Sequence, residues 1–208
     1  MKVAVAGLGY VGLSNAILLS QRNEVVAFDI DESKVTALNS GIAPVSDADM
    51  ERFLNEKELN LRATTNYIEA FENADFIIIA TPTDYEPEIN GFNTELVNLV
   101  IDQARTVNTD AILVIKSTVP IGFTQELMKS LDAENIIVSP EFLREGSALN
   151  DNLYPSRIVV GGEEAMAVSF SSMLEACTES KKVETLFTTT MEAEAIKLFS
   201  NTYLALRV

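Results

Sequence analysis

The sequence predicts an α/β fold in which helices cover both faces of a mainly parallel sheet. Short apolar runs rich in β-branched residues alternate with helical patterns along the chain. Several runs, such as FIIIA and AILVI, are apolar at every position, which is typical of strands buried on both faces. Glycine- or proline-bearing polar segments follow several of these runs, and ligands of such sheets bind at the carboxyl ends of the strands.

The individual elements follow from these periodicities. Strands are predicted at residues 2–6, 25–29, 61–64, 76–80, 111–115, 136–138, 157–160 and 185–187. Helices are predicted at residues 10–21, 32–39, 49–58, 67–72, 94–106, 124–131 and 163–176, with Asp31 as the N-cap of the second helix.

The last segment differs from the rest of the chain. The segment TTME (residues 189–192) has the spacing of a capping box, and Ile196, Phe199, Tyr203 and Leu206 then recur at helical spacing. No glycine, asparagine or proline ends this pattern before Val208. We therefore expect one domain at residues 1–188 and, at residues 189–208, the beginning of a long helix in a truncated chain.

Composition excludes several classes of protein. No apolar stretch is long enough to span a membrane, and the start of the chain lacks the pattern of a signal peptide. A single cysteine, Cys177, excludes an intrachain disulfide. The absence of histidine excludes Ser-His-Asp hydrolysis and ordinary histidine-ligated zinc, so no metal site is expected. These features fit a cytoplasmic protein.

The charge balance is strongly acidic. Fifteen basic residues against 31 acidic ones give a net charge of −16, which repels nucleic acid and anionic membrane surfaces. An anionic ligand would therefore have to be held by local devices, such as helix N-termini and a few lysines.

The segment GLGYVG (residues 7–12) is a G-x-G-x-x-G motif that follows a predicted strand and opens a predicted helix. Gly7 permits the tight turn, Gly9 lets the backbone approach a pyrophosphate, and Gly12 lets the helix pack close to the strand. The motif in this context predicts the dinucleotide-binding βαβ unit of a Rossmann-like, doubly wound domain.

Asp29 ends the second predicted strand, about 20 residues after the glycines, which is the position of the ribose-binding acid in such units. A carboxylate there accepts hydrogen bonds from both ribose hydroxyls and repels a 2′-phosphate, so the sequence favours NAD over NADP. Lys34 lies in the first turn of the next helix, from which a lysine can reach the ribose or a phosphate.

Three polar segments follow later strands: residues 81–83 (TPT), 116–122 (KSTVPIG) and 139–146 (SPEFLREG). Glu141 and Glu145 in the third segment fit acid/base groups, ligands of sugar hydroxyls or surface carboxylates, and their spacing does not decide among these. Lys197 and Asn201 share one helix face and fit an oxyanion or phosphate site, although spacing alone favours a solvated pair.

Seven motifs in order carry a family resemblance: GLGYVGL, Asp29, TPTDY, KSTVPIGFT, SPEFLREG, DNLYPSRIVVGG and EAEAIKLFSNTYLALRV. Together they resemble the UDP-glucose 6-dehydrogenases of the UDP-glucose/GDP-mannose dehydrogenase family, and the resemblance covers essentially the whole chain. It implies oxidation of the C6 alcohol of UDP-glucose to UDP-glucuronate with two NAD, through an aldehyde and a cysteine thiohemiacetal. It also implies a role in polysaccharide biosynthesis and a homodimer formed through the long helix.

The resemblance assigns site residues as well. The cofactor residues that it implies are Gly7, Gly9, Tyr10, Val11, Gly12, Asp29, Lys34, Thr83, Thr118 and Glu145. The substrate residues that it implies are Glu141, Phe142, Leu143, Arg144, Glu145, Lys197 and Asn201. Among these, Thr118 and Glu141 lie around the reacting C6 in the family, while Lys197 and Asn201 bind substrate and stabilise the developing oxyanion.

One feature of the family is missing. Its nucleophilic cysteine lies in a later glycine-rich motif, whereas Cys177 lies in the helix-like segment LEACTES. Family members also continue into a second domain that binds UDP. We therefore expect this chain to be the NAD-binding part, able to bind NAD but inactive towards UDP-glucose.

Three alternatives remain open at this level. The substrate is another nucleotide sugar, such as UDP-N-acetylmannosamine or GDP-mannose, or the chain is a non-catalytic NAD-binding module. A third alternative, a dehydrogenase of the 6-phosphogluconate or hydroxyacyl-CoA type, conflicts with the segment SPEFLREG.

Overall fold

The computed structural model describes residues 1–88 and 91–205 of the chain. The strands are β1 (Lys2–Ala6), β2 (Glu24–Phe28), β3 (Leu61–Thr64), β4 (Phe76–Ile79), β5 (Tyr85–Glu86), β6 (Gly91–Phe92), β7 (Ile112–Ile115), β8 (Ile136–Val138), β9 (Arg157–Gly161) and β10 (Glu184–Thr188). The helices are α1 (Tyr10–Ser20), α2 (Glu32–Asn39), α3 (Ala48–Glu56), α4 (Tyr67–Phe71), α5 (Glu95–Val107), α6 (Phe123–Leu131), α7 (Ala148–Leu153), α8 (Glu164–Glu175) and α9 (Thr190–Ala205).

Eight strands form one sheet in the order β10-β9-β8-β7-β4-β1-β2-β3, while β5 and β6 form a separate hairpin. The six strands from β3 to β8 along this order are parallel. Strand β9 meets β8 antiparallel at the pair Val138↔Gly161, and β10 is parallel to β9. The direction of the strand order reverses between β1 and β4, which creates the crevice where ligands of doubly wound sheets bind.

Helices cover both faces of the sheet, as predicted. Alternate residues of β1 face opposite sides, so that Val3 belongs to the core layer under α1, α3, α7 and α8 and Ala4 to the layer under α4, α5 and α9. All four residues of β4 are buried, including Ile77 and Ile78, which face opposite layers. Burying a side chain of this size stabilises the fold by about 1.5–3 kcal/mol.

Helix starts follow local capping chemistry. The Asp31 carboxylate accepts a hydrogen bond from the Ser33 N–H, which confirms the predicted N-cap of α2. At α9, the Thr189 N–H donates to Glu192 and the Glu192 N–H donates to the Thr189 hydroxyl, so the capping box is formed. The predicted residue Leu206 and the end of the chain lie outside the described residues.

The structure differs from the predicted elements in a few places. Helix α3 ends at Glu56, two residues before the predicted end, because Lys57 adopts an extended conformation. Helix α7 and the β5–β6 hairpin were not predicted, since each is too short to show a clear period. Within the described part of the chain, no helix has the length and hydropathy to cross a membrane.

Candidate functional site

A cleft of about 290 Å³ opens at the carboxyl ends of β1, β4, β7 and β8. We call it the cofactor cleft. Its walls are Gly7, Leu8, Gly9, Tyr10, Val11, Asp29, Lys34, Ala80, Thr81, Pro82, Thr83, Lys116, Ser117, Thr118, Glu141 and Glu145. Of the ten predicted cofactor residues, only Gly12 does not line this cleft, because it is buried beneath the loop.

Each motif glycine meets a different surrounding. Gly7 has a φ of +100°, and a Cβ on it would lie 2.6 Å from the Ala80 carbonyl oxygen. A Cβ on Gly12 would lie 1.7 Å from the Gly7 carbonyl oxygen. Gly9 has no described heavy atom within 4 Å of the position of a Cβ, so its open side faces the space that a pyrophosphate would fill.

The first turn of α1 is open to an anion. Gly9 is the N-cap and offers no side-chain hydrogen bond, and the first turn carries no acidic residue. The N–H groups at a helix start lack intrahelical acceptors, and the helix dipole favours negative charge there. The nearby Oγ1 of Thr81 is buried without a hydrogen-bond partner among the described residues. The residues present therefore fit a dinucleotide pyrophosphate.

Asp29 holds the glycine loop in addition to facing the cleft. Its Oδ2 accepts a hydrogen bond of 2.7 Å from the Leu8 N–H, and its Oδ1 accepts one of 3.0 Å from the Asp31 N–H. The Lys34 ammonium lies 3.6 Å from Oδ2, with its side chain 36% exposed. This second role of Asp29 was not visible in the motif, since it depends on the contact between two separate loops.

The loops after β4 and β7 are tied together. The Ser117 hydroxyl donates to the Thr81 carbonyl oxygen at 2.6 Å, and the Ser117 N–H donates to the carbonyl oxygen of Ile79. These bonds hold Thr83 and Thr118 on the same wall of the cofactor cleft, where both side chains are partly exposed.

The loop formed by residues 139–145 follows β8 and is shared between two clefts. Glu141 and Glu145 line the cofactor cleft, while residues 141–144 line a second cleft of about 290 Å³. Arg144 forms a salt bridge with Asp151 at 2.6 Å and is exposed. The structure therefore divides the predicted substrate loop between two surfaces.

Lys197 reaches this loop from α9. Its ammonium donates to the Glu141 carbonyl oxygen at 2.6 Å and to Glu141 Oε1 at 2.5 Å. Both side chains are about nine-tenths buried, at 9% and 11% exposure. Glu141 Oε2 accepts a further hydrogen bond from the Leu143 N–H. The predicted residues Glu141 and Lys197 are thus brought together as a buried ion pair.

Two cations flank the ring of Phe142. The Lys197 ammonium lies 6.0 Å and the Arg157 guanidinium 5.4 Å from the ring centroid. Arg157 begins β9, and because β9 runs antiparallel to β8, its first residue lies beside the loop that ends β8. Asn201 lies one turn beyond Lys197 on α9 and is exposed.

Two buried charged residues near the site were not predicted. Lys116 directly follows β7 and lines both clefts. Glu194 on α9 accepts hydrogen bonds from the Gly122 and Thr124 N–H groups at 2.6 and 2.8 Å, and so caps the start of α6. The spacing of Glu194, three residues before Lys197, places both on one helix face and is the signal that sequence reasoning missed.

Cys177 lies away from this site. It is 4% exposed and its Sγ lies 3.9 Å from the Asn23 amide nitrogen, just before the amino end of β2. Burial raises the pKa of its thiol. The cofactor cleft is at the carboxyl edge of the sheet, so Cys177 is remote from it.

The fold and the glycine loop define a dinucleotide-binding domain of an oxidoreductase. The family model for the NAD binding domain of the UDP-glucose/GDP-mannose dehydrogenase family matches residues 1–187. The chain belongs to this family, and its cofactor is NAD.

Named relatives and solved structures agree with this assignment. The chain is 46% identical over its whole length to a UDP-glucose 6-dehydrogenase of Campylobacter jejuni and 44% identical to one of Streptococcus pneumoniae, covering 53% and 54% of those proteins. It matches the structure of a UDP-glucose dehydrogenase of Pyrobaculum islandicum with a TM-score of 0.87 and 30% identity, covering all of this chain and 50% of that one. The chain thus spans about half the length of these three relatives.

Proposed function

We propose that this chain is the NAD-binding part of a UDP-glucose 6-dehydrogenase, which oxidises the C6 alcohol of UDP-glucose to a carboxylate with two NAD. The names of the relatives at 46% and 44% identity support the substrate. The observation that carries the chemistry is the buried contact between Lys197 and Glu141 beside the cofactor cleft. An ammonium and a carboxylate at this position are the groups that oxidation of an alcohol requires.

The first task of the chain is to hold the cofactor, which accepts a hydride when it is bound. The open face of Gly9 and the free N–H groups of α1 hold the pyrophosphate. Asp29 accepts hydrogen bonds from the ribose hydroxyls, and Lys34 neutralises part of its charge. Thr83 and Thr118 offer neutral hydroxyl donors along the wall of the cleft.

The second task is to accept the proton of the substrate alcohol and to stabilise the negative charge that develops on its oxygen. Lys197 stabilises the negative charge that develops on the C6 oxygen as its proton leaves, and Asn201 extends this role one turn further along α9. Glu141 accepts the proton, directly or through a water, and the hydrogen bonds to both of its oxygens fix the orientation of its carboxylate. Residues 142–145 complete the contacts with the sugar.

We further propose that the chain alone binds NAD but does not turn over UDP-glucose. This is supported by the position of Cys177, which is buried at the far edge of the sheet with a raised thiol pKa. A catalytic thiol needs the thiolate form and access to the substrate.

Calorimetry with NAD and NADP tests the cofactor site. We expect NAD to bind more tightly than NADP, and Asp29→Ala to weaken NAD binding by about 1–3 kcal/mol because charged hydrogen bonds to the ribose are lost. Asp110→Ala, an exposed acid before β7, is the matched control and should leave the affinity unchanged. Unchanged affinity in Asp29→Ala would refute the ribose role.

The substrate is tested on a longer protein, in which this chain is joined to the part that corresponds to the other half of its relatives. Lys197→Ala should lower turnover more than NAD affinity, since the charge on the substrate oxygen grows only in the transition state. A screen of nucleotide sugars decides the substrate, and a preference for UDP-N-acetylmannosamine or GDP-mannose would replace UDP-glucose. NADH formed from UDP-glucose by the chain alone would contradict the second proposal.

A further inference from the structure

Lys116 is a buried lysine to which the proposed chemistry gives no role. It directly follows the last residue of β7 and is 4% exposed. Its side chain lines both the cofactor cleft and the second cleft, so it lies in the wall between them.

The contacts of the Lys116 ammonium are few and mostly neutral. It donates to the carbonyl oxygen of Ser139 at 3.2 Å and to the Ser139 hydroxyl at 3.4 Å. It also lies 5.8 Å from the ring centroid of the buried Phe170. No described carboxylate forms an ion pair with it, since Glu141 is paired with Lys197.

Keeping a cation at this position is costly. Burial lowers the pKa of Lys116 to about 8, and the charge of Lys197 acts in the same direction, while Glu141 opposes both. An apolar side chain of similar length would fill the same space without this cost. The stability of the core therefore does not explain a lysine at this position. What a lysine adds over an apolar side chain is the pair of hydrogen bonds to Ser139.

Ser139 is the first residue after β8 and the start of the loop that carries Glu141 and Glu145. We propose that Lys116 is a positioning residue. Its ammonium binds the carbonyl oxygen and the hydroxyl of Ser139 and so fixes residues 139–145 between the two clefts. An effect of Lys116 on catalysis rests on the proposed function of Glu141. The fixing of residues 139–145 by Lys116 does not depend on that function.

Lys116→Met tests this inference in the chain as it stands, with Lys129→Met as the matched control at an exposed lysine of α6. Trypsin cleavage after Arg144 reports the order of the loop, because a protease cuts a segment only when it opens locally. Losing a hydrogen-bonded anchor should speed this cleavage about three- to tenfold and weaken NAD binding by a similar factor. The melting temperature at neutral pH should stay equal or rise, since a buried charge is removed.

A merely structural role predicts a different pattern: either faster cleavage and weaker NAD binding together with a lower melting temperature, or no change in any of the three, and either result would overturn the proposal. Ser139→Ala removes the acceptor hydroxyl without removing the lysine and should give a smaller effect in the same direction. This variant decides the question if Lys116→Met does not fold. If the wild-type chain does not bind NAD, the proposed function is refuted. The cleavage rates still test whether Lys116 fixes residues 139–145.

Discussion

The glycine motif allows a prediction in which two similar substitutions have opposite consequences. Gly9→Ala places a methyl group in open space, whereas Gly12→Ala places one 1.7 Å from the Gly7 carbonyl oxygen. We expect Gly9→Ala to fold normally but bind NAD weakly, and Gly12→Ala to be destabilised. The motif predicts close approach of a pyrophosphate at Gly9 and close helix packing at Gly12, and the difference between the two variants tests both roles.

The magnitudes follow from the surroundings of each glycine. At Gly12 the contact is with backbone, which no rotamer change relieves, so we expect a loss of about 3 kcal/mol, at the upper end of overpacking effects. Gly9 has φ −82° and ψ −172°, which alanine adopts without strain. Reduced unfolded-state entropy stabilises Gly9→Ala by about 0.4–1 kcal/mol, and the poorer N-cap offsets a similar amount.

The loss of affinity in Gly9→Ala comes from displaced phosphate. A methyl group on the open side prevents the close approach of the pyrophosphate to the helix N–H groups, and a hydrogen bond to a charged group contributes about 1.5–3 kcal/mol. This corresponds to NAD binding about ten- to a hundredfold weaker.

Denaturant unfolding and calorimetry measure the two effects separately. Gly41→Ala serves as the control, because Gly41 also has open space around it but lies in a turn after α2, outside the cofactor cleft. Its φ of +75° predicts a destabilisation of about 1–2 kcal/mol with unchanged NAD affinity. Equal stability losses in Gly9→Ala and Gly12→Ala, or wild-type affinity in Gly9→Ala, would refute the reasoning.

Two further predictions concern the buried charges. Because the pKa of Lys116 is lowered from 10.5 to about 8 in the folded chain, its ammonium is destabilising below pH 8, and this cost disappears as the pH rises towards 10.5. Unfolding at a series of pH values should therefore show wild type gaining up to about 3 kcal/mol relative to Lys116→Met over this range, and a constant difference would contradict the shift. Glu194→Ala leaves the Gly122 and Thr124 N–H groups without their acceptor and should lower the free energy of unfolding by about 3 kcal/mol. Glu126→Ala, at an exposed acid of α6, is the control, and an equally small loss in both variants would exclude the cap.

The glycine loop was predictable from sequence because its interactions are local. Gly12 contacts Gly7, five residues away, so the motif contains both partners of the contact. The same holds for the Asp31 cap and for the strands, whose apolar runs report burial on both faces. Local interactions of this kind leave a fixed spacing in the sequence.

Contacts between distant segments leave no such spacing. Glu194 lies 70 residues from Thr124, and Asp47 accepts a hydrogen bond from Leu149, which is 102 residues away. Lys116 stands in a polar loop where its burial depends on β8 and on α8 packing around it. In the sequence alone, each of these residues is indistinguishable from an ordinary surface charge, because its partner is brought close only by the fold.

The distribution of charge explains how a protein with a net charge of −16 holds an anionic cofactor. Salt screens charges beyond about 8 Å, so the cofactor responds mainly to the groups that line its cleft. There Lys34 lies beside Asp29, and Lys197 is paired with Glu141, so that two of the three carboxylates that line the cleft have a cationic partner. The first turn of α1 then adds N–H donors and carries no acidic residue. Recognition therefore depends on short-range donors fixed by the backbone, which is why the glycines that shape that backbone matter more to binding than the overall charge.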